Sequence, residues 1–580
     1  VLRNRARDNG VIRFNERFPR DVPNKAGHTV YVKGNPQLNN VKSILIGVRN
    51  TRDNRGPVCV EVWVNELRVT DFNTTNGWAA NARLNMKLAD LATVQMSGSF
   101  SSAYFGGLEQ RISERPLEEF RSYDILANVS AGKLVPQSLG MEIPFTFTMG
   151  ERWTIPVYNP LDPDVRLETI LATFNPGEQD SVFEQRITYE RVFGYSFNNV
   201  RHRRTKEGKK PMPWDLANWD FTFAYNERFK SSAQLEYDLT EIYKFGVGYS
   251  FQWEPPKIQP FKGDGTKRNL LTEFNIIPLP KAVGVRMDGN RQFDAQKLRT
   301  FEGQLEAQPT FQQNFLITRT YQLQWDFATS LNFTYNATNI SRVDEPRGRL
   351  DTEAKRDSFW GSFFSFGRDT AAGQYNMINI GRTTQFTQNF TLTYRLPFAL
   401  IKPLNWITAS ANYNANLNWQ TAALQNENLG NTITNGRNIQ GSGQMQFRSL
   451  YRKLKFIEKW KEPIPKKTIY SLRDSTREEG DDVKVLFKRI GKGFLFLATS
   501  LQSIDVSYNM TQSAMLPGYR PRTDNLGLDF NYYDPNTDQV SMAPGIPFIL
   551  GSPPDLSNEL WLREKTELGW FSDDSLFSSP

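Results

Sequence analysis

One cysteine and two histidines among 580 residues leave little room for thiol or metal chemistry. Cys59 alone makes no intrachain disulfide, and His28 and His202 stand too far apart to suggest a zinc site or a Cys-His nucleophile pair. No metal and no cofactor are expected. Long apolar runs are also missing: the best, Gly493 to Leu501, is about half of the ~18 residues that a spanning helix needs. A membrane protein built of helices is excluded. The chain opens at Val1 with no basic flank or apolar leader, and is expected to be an internal segment of something longer. There is no Gly-rich phosphate loop of the Lys-Ser/Thr type and no nucleophile elbow. Carboxylate pairs such as Asp162 with Asp164, or Asp481 with Asp482, lie among prolines or in charged stretches, where turn formation explains them better than calcium or glycosidase chemistry. No catalytic residues are assigned, and an enzyme is not expected. Charge is nearly balanced, with 70 Lys+Arg against 62 Asp+Glu. The basic stretch from Arg201 to Lys210 lacks interleaved aromatics, so it reads as a solvated loop or a lipid-phosphate contact, with no nucleic-acid partner.

What the chain has is aromatic residues, 13% of the total, and alternation at period two. From Tyr321, one face reads Tyr321, Leu323, Trp325, Phe327, then Leu331, Phe333 and Tyr335, while the other reads Gln322, Gln324, Asp326 and, further on, Asn332. Taken as one strand, this stretch would extend about 46 Å, more than enough to cross a ~25 Å apolar band at a tilt of roughly 40°. The pattern recurs at Tyr243 to Trp253 and at Ile407 to Trp419, where Asn412, Asn414 and Asn416 fill the polar face. About twenty such strands are expected. A soluble sandwich would cover its exterior mostly with Lys, Glu and Thr, whereas these polar faces carry Gln, Asn, Ser, Thr and Gly, as a hydrated lumen requires. Trp214, Trp219, Trp253, Trp406 and Trp419 gather near the ends of the runs, as interfacial girdles do.

The expected fold is all-β: a segment of a very large antiparallel transmembrane β-barrel, with a small β-sandwich-like N-terminal module and one short helical insert. Residues 1–75 would form the module, with short strands at Thr29 to Val32, Ile44 to Val48 and Val58 to Val64, the last including Cys59. Barrel strands and long loops would fill 76–450. Residues 451–492 would be a basic, partly helical insert in which Leu450, Leu454, Ile457 and Trp460 fall near helical spacing before Pro463. Strands would resume near Phe494 and fill 493–580. Tyr321, Leu323, Trp325, Phe327, Leu331, Phe333 and Tyr335 are the candidate lipid-facing residues, and Gln322, Gln324, Asp326, Asn332, Asn412, Asn414 and Asn416 the candidate lumen-facing ones. Leu516, Pro517, Gly518 and Tyr519, with Ala543, Pro544 and Gly545, are candidate rigid loops for partner contact.

Several segments, in order, carry a family resemblance. They are Glu61-Val62-Trp63-Val64-Asn65-Glu66-Leu67-Arg68 with Gly77-Trp78-Ala79-Ala80, and Pro156-Val157-Tyr158-Asn159-Pro160-Leu161-Asp162-Pro163-Asp164. Gly381-Arg382-Thr383-Thr384-Gln385-Phe386, Tyr394-Arg395-Leu396-Pro397, Leu516-Pro517-Gly518-Tyr519-Arg520-Pro521 and Ala543-Pro544-Gly545-Ile546-Pro547-Phe548 follow. Together they resemble the SprA/Sov family, the giant outer-membrane translocon of the type IX secretion system of Bacteroidota, used in protein export and gliding motility. The resemblance implies an outer-membrane location and a single-chain barrel of about 36 strands with a pore wide enough for folded cargo. It also implies partners: cargo with a C-terminal signal domain, and plug, cap and peptidyl-prolyl isomerase-like accessory chains. Two alternatives stay open from the residues alone, a porin or nutrient importer barrel and a soluble multi-domain carbohydrate-binding or adhesin protein.

Overall fold

The computed structural model describes residues 17–22, 25–33, 42–49, 59–65, 75–110, 114–204, 211–261, 270, 272–300, 305–369, 374–423, 425, 429–454, 457, 479–523, 527–534, 539–554 and 559–571. One antiparallel sheet dominates. Its fourteen successive strands are β1 (Ala79–Leu88), β2 (Ala92–Ser101), β3 (Glu118–Ser130), β4 (Pro144–Pro156), β5 (Thr188–His202), β6 (Trp219–Ser231), β7 (Leu235–Gln252), β8 (Ala282–Leu298), β9 (Thr310–Ala328), β10 (Leu331–Val343), β11 (Arg382–Leu396), β12 (Ile407–Gln420), β13 (Asn431–Gln446) and β14 (Ser503–Tyr519). They pair strictly in this order, and a two-residue piece, Met141–Glu142, adds to the edge of β5. Among the described residues β1 and β14 do not pair with each other, so the sheet is open.

Side-chain period and turn chemistry explain this plan. Alternation gives each strand one apolar and one polar face, and antiparallel neighbours in sequence need only a local reversal. Pro144, Pro156 and Pro397 stand at strand starts or ends, where a missing N–H costs no ladder bond. Gly430 precedes β13 at φ +75°, and a Cβ there would stand 2.6 Å from the backbone of Gly518, whose own φ is also +75°. Only glycine tolerates both that angle and that approach.

The structure corrects several expectations. The run from Tyr321 to Tyr335 is two strands: β9 ends at Ala328, Thr329 and Ser330 make the turn, and β10 returns from Leu331. Asp326 therefore faces Asn332 and Trp325 faces Phe333 across a hairpin. The two-residue turn alone would flip side-chain parity, but the bulge at Phe327 restores it, which is why alternation alone reads through the reversal. Residues 44–48 and 59–65 carry no regular structure, and Cys59 is exposed; Val58 lies outside the described residues. Arg201 and His202 complete β5 instead of opening a loop. The basic insert is helical over Phe447–Lys453, while Trp460 lies outside the described residues. Strands do not resume at Phe494: a second helix runs from Glu479 to Ala498, and β14 starts at Ser503. A helix over Glu353–Phe363, between β10 and β11, was not foreseen either.

Candidate functional site

The inter-strand register sorts the sheet into two faces. The end carrying the Thr329–Ser330 turn is taken as the lower end. On the polar face of β9 to β14, three adjoining cross-strand rows run Gln322, Asn336, Asn389, Asn416, Gly436, Ser513; Gln324, Thr334, Thr391, Asn414, Asn438, Thr511; and Asp326, Asn332, Thr393, Asn412, Gln440, Asn509. Apart from Asp326 and Gly436, every position is Asn, Gln, Ser or Thr. The amide Nδ2 of Asn332 donates to Asp326 at 2.5 Å, which engages the fixed charge in these rows. On β4 to β8 the same face carries charges, several of them paired: Arg286 meets Asp220 at 2.6 Å and Asp288 at 2.8 Å, and Lys230 meets Glu190 at 2.8 Å. The surface is mostly hydrophilic and close to neutral, with Val192, Ala224 and Ile242 among its apolar positions. All seven sequence-predicted polar candidates lie on it, together, and the seven apolar candidates belong to the opposite side, with Phe327 at a bulge opposite the turn.

The opposite face is divided by a polar boundary. Going from the upper end downward, the last polar side chain before an uninterrupted apolar or glycine run is Arg121 on β3, Glu151 on β4 and Arg191 on β5. It is Glu227 on β6, Glu241 on β7, Arg291 on β8, Arg319 on β9 and Asn339 on β10. It is then Gln388 on β11, Arg437 on β13 and Gln512 on β14. Several of these groups hydrogen-bond to neighbours, while the Nε atoms of Arg191 and Arg319 and the Nε2 of Gln388 have no partner among the described residues. Arg191 donates to Glu227 at 2.5 Å, Tyr225 to the same carboxylate at 2.7 Å, and Arg319 to Ser341 at 2.6 Å; Arg437 donates to Gln512 at 2.7 Å. Arg291 holds Glu345 through two bonds of 2.8 Å while stacking over Tyr243.

Followed through the register, this boundary does not run perpendicular to the strands. Between β3 and β14 it descends by about 14 residues, about 46 Å at ~3.3 Å per residue, across strand spacings that total about 53 Å at ~4.8 Å each. The line therefore crosses the sheet at roughly 40° to the perpendicular of the strands, the tilt that membrane barrel strands adopt. Below it the apolar run lasts eight residues on most strands, for example from Glu227 to Trp219 or from Arg437 to Met445.

Burial differs across the line, although Ala337, Phe390, Ala415 and Phe251 below it are also buried. Above it, apolar side chains are covered by the chain itself: Phe315, Ile317 and Val343 lie under Phe359 and Phe363 of the Glu353–Phe363 helix. Trp419, Ile433, Leu516 and Tyr519 lie under Phe548, Trp570 and Phe571. Below it Phe221, Phe223, Val285, Tyr321, Tyr394, Val506 and Tyr508 are exposed.

The C-terminal contact also relocates the predicted partner loops. Leu516, Pro517, Gly518 and Tyr519 are the end of β14, with Leu516 and Tyr519 buried, and not a loop. Ala543 is buried at the end of the strand Gln539–Ala543, and Pro544 and Gly545 turn into a short helix, Ile546–Ile549. That helix sits on β12 and β13: Asn435 donates to the carbonyls of Phe548 (3.0 Å) and Ser552 (3.1 Å), and the Tyr413 hydroxyl donates to that of Leu550. Pro and Gly in these motifs signalled turns, but the hydrophobic neighbours that bury them are far away in sequence. The polar boundary itself escaped sequence reading because it is a diagonal: single strands show one charge in an alternating run, and only the register aligns them.

Comparison with known proteins adds the identity of the N-terminal part. No curated protein matches the chain. Residues 2–171, which reach from the N-terminal region through β4, match the family model SprA_N, described as motility related/secretion protein. Over that stretch the chain is similar to the SprA/Sov family of motility and secretion proteins.

Proposed function

We propose that this sheet is part of the wall of an outer-membrane β-barrel through which folded cargo proteins are exported. The observation that carries the reading is the diagonal boundary on the apolar face. Strands tilted by roughly 40° turn a diagonal line on the sheet into a level line in space, which is what the edge of a bilayer imposes. The eight-residue runs below it extend about 26 Å along the strand and about 20 Å along the normal, close to the height of an outer-membrane apolar band. Exposed aromatics below the line meet acyl chains, and the covered ones above it stand clear of the bilayer.

The polar face then lines water. Amide and hydroxyl groups hydrate well, present no net charge and offer cargo of either sign no trap. Further strands would close the open sheet, and cargo with a C-terminal signal domain, plug, cap and isomerase-like chains belong to the same proposal. No step of covalent chemistry is involved; the wall works by excluding lipid from a wide aqueous path.

The test is site-specific photo-crosslinking in cells whose export is stalled by a slow-folding cargo. A crosslinking residue at Asn414 captures cargo, and one at Phe223 captures lipid and no cargo. Cargo captured at Phe223 with none at Asn414 refutes the assignment of the faces.

A further inference from the structure

The helix Glu479–Ala498 has no place in the wall, yet its pattern is regular. By sequence spacing Val483, Leu486, Phe487, Ile490, Phe494 and Leu497 share one arc of the helix, and Lys484, Lys488 and Lys492 recur every four residues on an arc that also holds Asp481, Leu495 and Phe496. In the structure Phe487, Ile490, Phe494 and Leu497 are 61 to 76% exposed, a bare apolar stripe about two turns and more in length. Arg489 is exposed as well. The helix has 20 residues, about 30 Å, but no described helix is long and apolar enough to cross a membrane.

Its anchorage gives its level. Gln446 of β13 pairs with Ser503 of β14 at the lower end of the sheet, and the helix lies in the connection between them. Trp406 packs on Phe447 at 5.2 Å and Phe447 on Tyr451 at 6.2 Å. The Tyr451 hydroxyl donates to the carbonyl of Ala498 at 3.1 Å, which ties the last turn of the helix to this aromatic cluster. The cluster stands at the lower end of the sheet, the end where Trp219 and Trp325 also lie.

We infer that the Glu479–Ala498 helix lies flat in the interface of the bilayer, its Phe487–Ile490–Phe494–Leu497 stripe among acyl chains and its basic residues, the exposed Arg489 among them, within reach of anionic headgroups. The inference rests on the proposed membrane position of the sheet. Length and an apolar stripe with lysines in the same helix are those of an in-plane helix, and its anchorage holds its last turn at the lower end of the surface that the same reading already gives to lipid. Two forces hold it: burial of four large side chains, and attraction between the basic residues and phosphate. The role is mechanical. A skirt of this kind fixes the depth and orientation of the long β13–β14 connection and seals lipid against the strand ends.

The experiment uses the full-length protein in nanodiscs, in a Cys59→Ser background, with single nitroxide labels at Ile490→Cys, Phe494→Cys, Lys488→Cys and Phe223→Cys. Collision with oxygen and with a water-soluble nickel complex reads depth. Labels at 490 and 494 are expected about 5–10 Å below the phosphates, with 488 in water, and the depth is expected to increase when phosphatidylglycerol is added to phosphatidylcholine. Water exposure at 490 and 494 with lipid exposure at 223 overturns the inference and leaves the sheet's position standing. Protection at 490 and 494 from both reagents overturns it in favour of a protein cover. Depth indifferent to phosphatidylglycerol overturns the headgroup assignment, and water exposure at 223 overturns the membrane reading itself.

Discussion

Phe223 sits in the middle of the exposed band on β6, four residues from Glu227 and four from Trp219. Four residues are about 13 Å along a strand, and about 10 Å along the normal at a tilt of roughly 40°, so either margin is equally distant. Its row neighbours are Phe197 and Phe245, with no carboxylate among them. Phe223→Arg is therefore expected to cost about 2 to 4 kcal/mol in lipid, the range for a cation at the midplane of a barrel's outer face. Phe333→Arg, six residues and about 15 Å below Asn339 and beside the lower turn, is expected to cost only about 0 to 1 kcal/mol, and Asn414→Arg on the opposite face about as little. The assay is denaturant unfolding of the full-length protein reconstituted in vesicles, with Phe223→Gln to separate lost ring packing from charge. Equal losses for Phe223→Arg and Asn414→Arg would refute the assignment of faces, and equal losses at Phe223 and Phe333 would refute the level drawn from the diagonal.

Above the boundary, Glu345→Gln is expected to cost roughly 3 kcal/mol, because Glu345 is 2% exposed and Arg291 would keep its charge without its partner; replacing both by methionine should recover most of the loss, as unfolding titrations of the three proteins would show. Gly430→Ala is expected to lose roughly 1 to 3 kcal/mol against the backbone of Gly518, while Gly177→Ala, with no atom within 4 Å of the added carbon, is expected to be near neutral. The Lys355 ammonium, donating to Asp351 at 2.9 Å, and nearby backbone N–H groups hold the Asp351 carboxyl below its ordinary value at the start of the Glu353–Phe363 helix. Its contribution is thus present above about pH 4 and lost as the pH falls through the lowered value; carboxyl NMR titration before and after Lys355→Met should show the midpoint rise.

Alternation in the sequence was enough to place the strands and their parity, because a half-buried strand cannot hide its period. It was not enough to divide them. Tyr321 to Tyr335 reads as one element since the turn of Thr329 and Ser330 carries no glycine or proline and the bulge at Phe327 keeps odd residues on one side. The asparagines of β12 were legible as one surface, and the register now shows how far that surface extends, into Asn389, Asn438 and Asn509 on three other strands. Burial of Leu516 and Tyr519 was not legible, since their cover comes from Phe548 and Trp570. The helix from Glu479 was missed because its apolar residues, clustered near Phe494, resemble a strand until the lysines are counted at four-residue spacing.

The strict sequential order of the fourteen strands bears on biogenesis. Every pairing in the path joins a strand to its immediate predecessor, so no long crossover has to close before a new pair can form, and the entropy of each closure is set only by one connection. Hairpin connections such as Thr329–Ser330 or the turn after Ser231 should zip at once, while the 446–503 connection is the slowest to close. At every stage one freshly added strand presents unpaired amides and carbonyls along its whole length. A growing wall of this kind is a standing template for mispairing, and a chain that builds it needs either an insertion machine or a chaperone at that moving edge for as long as it stays unpaired.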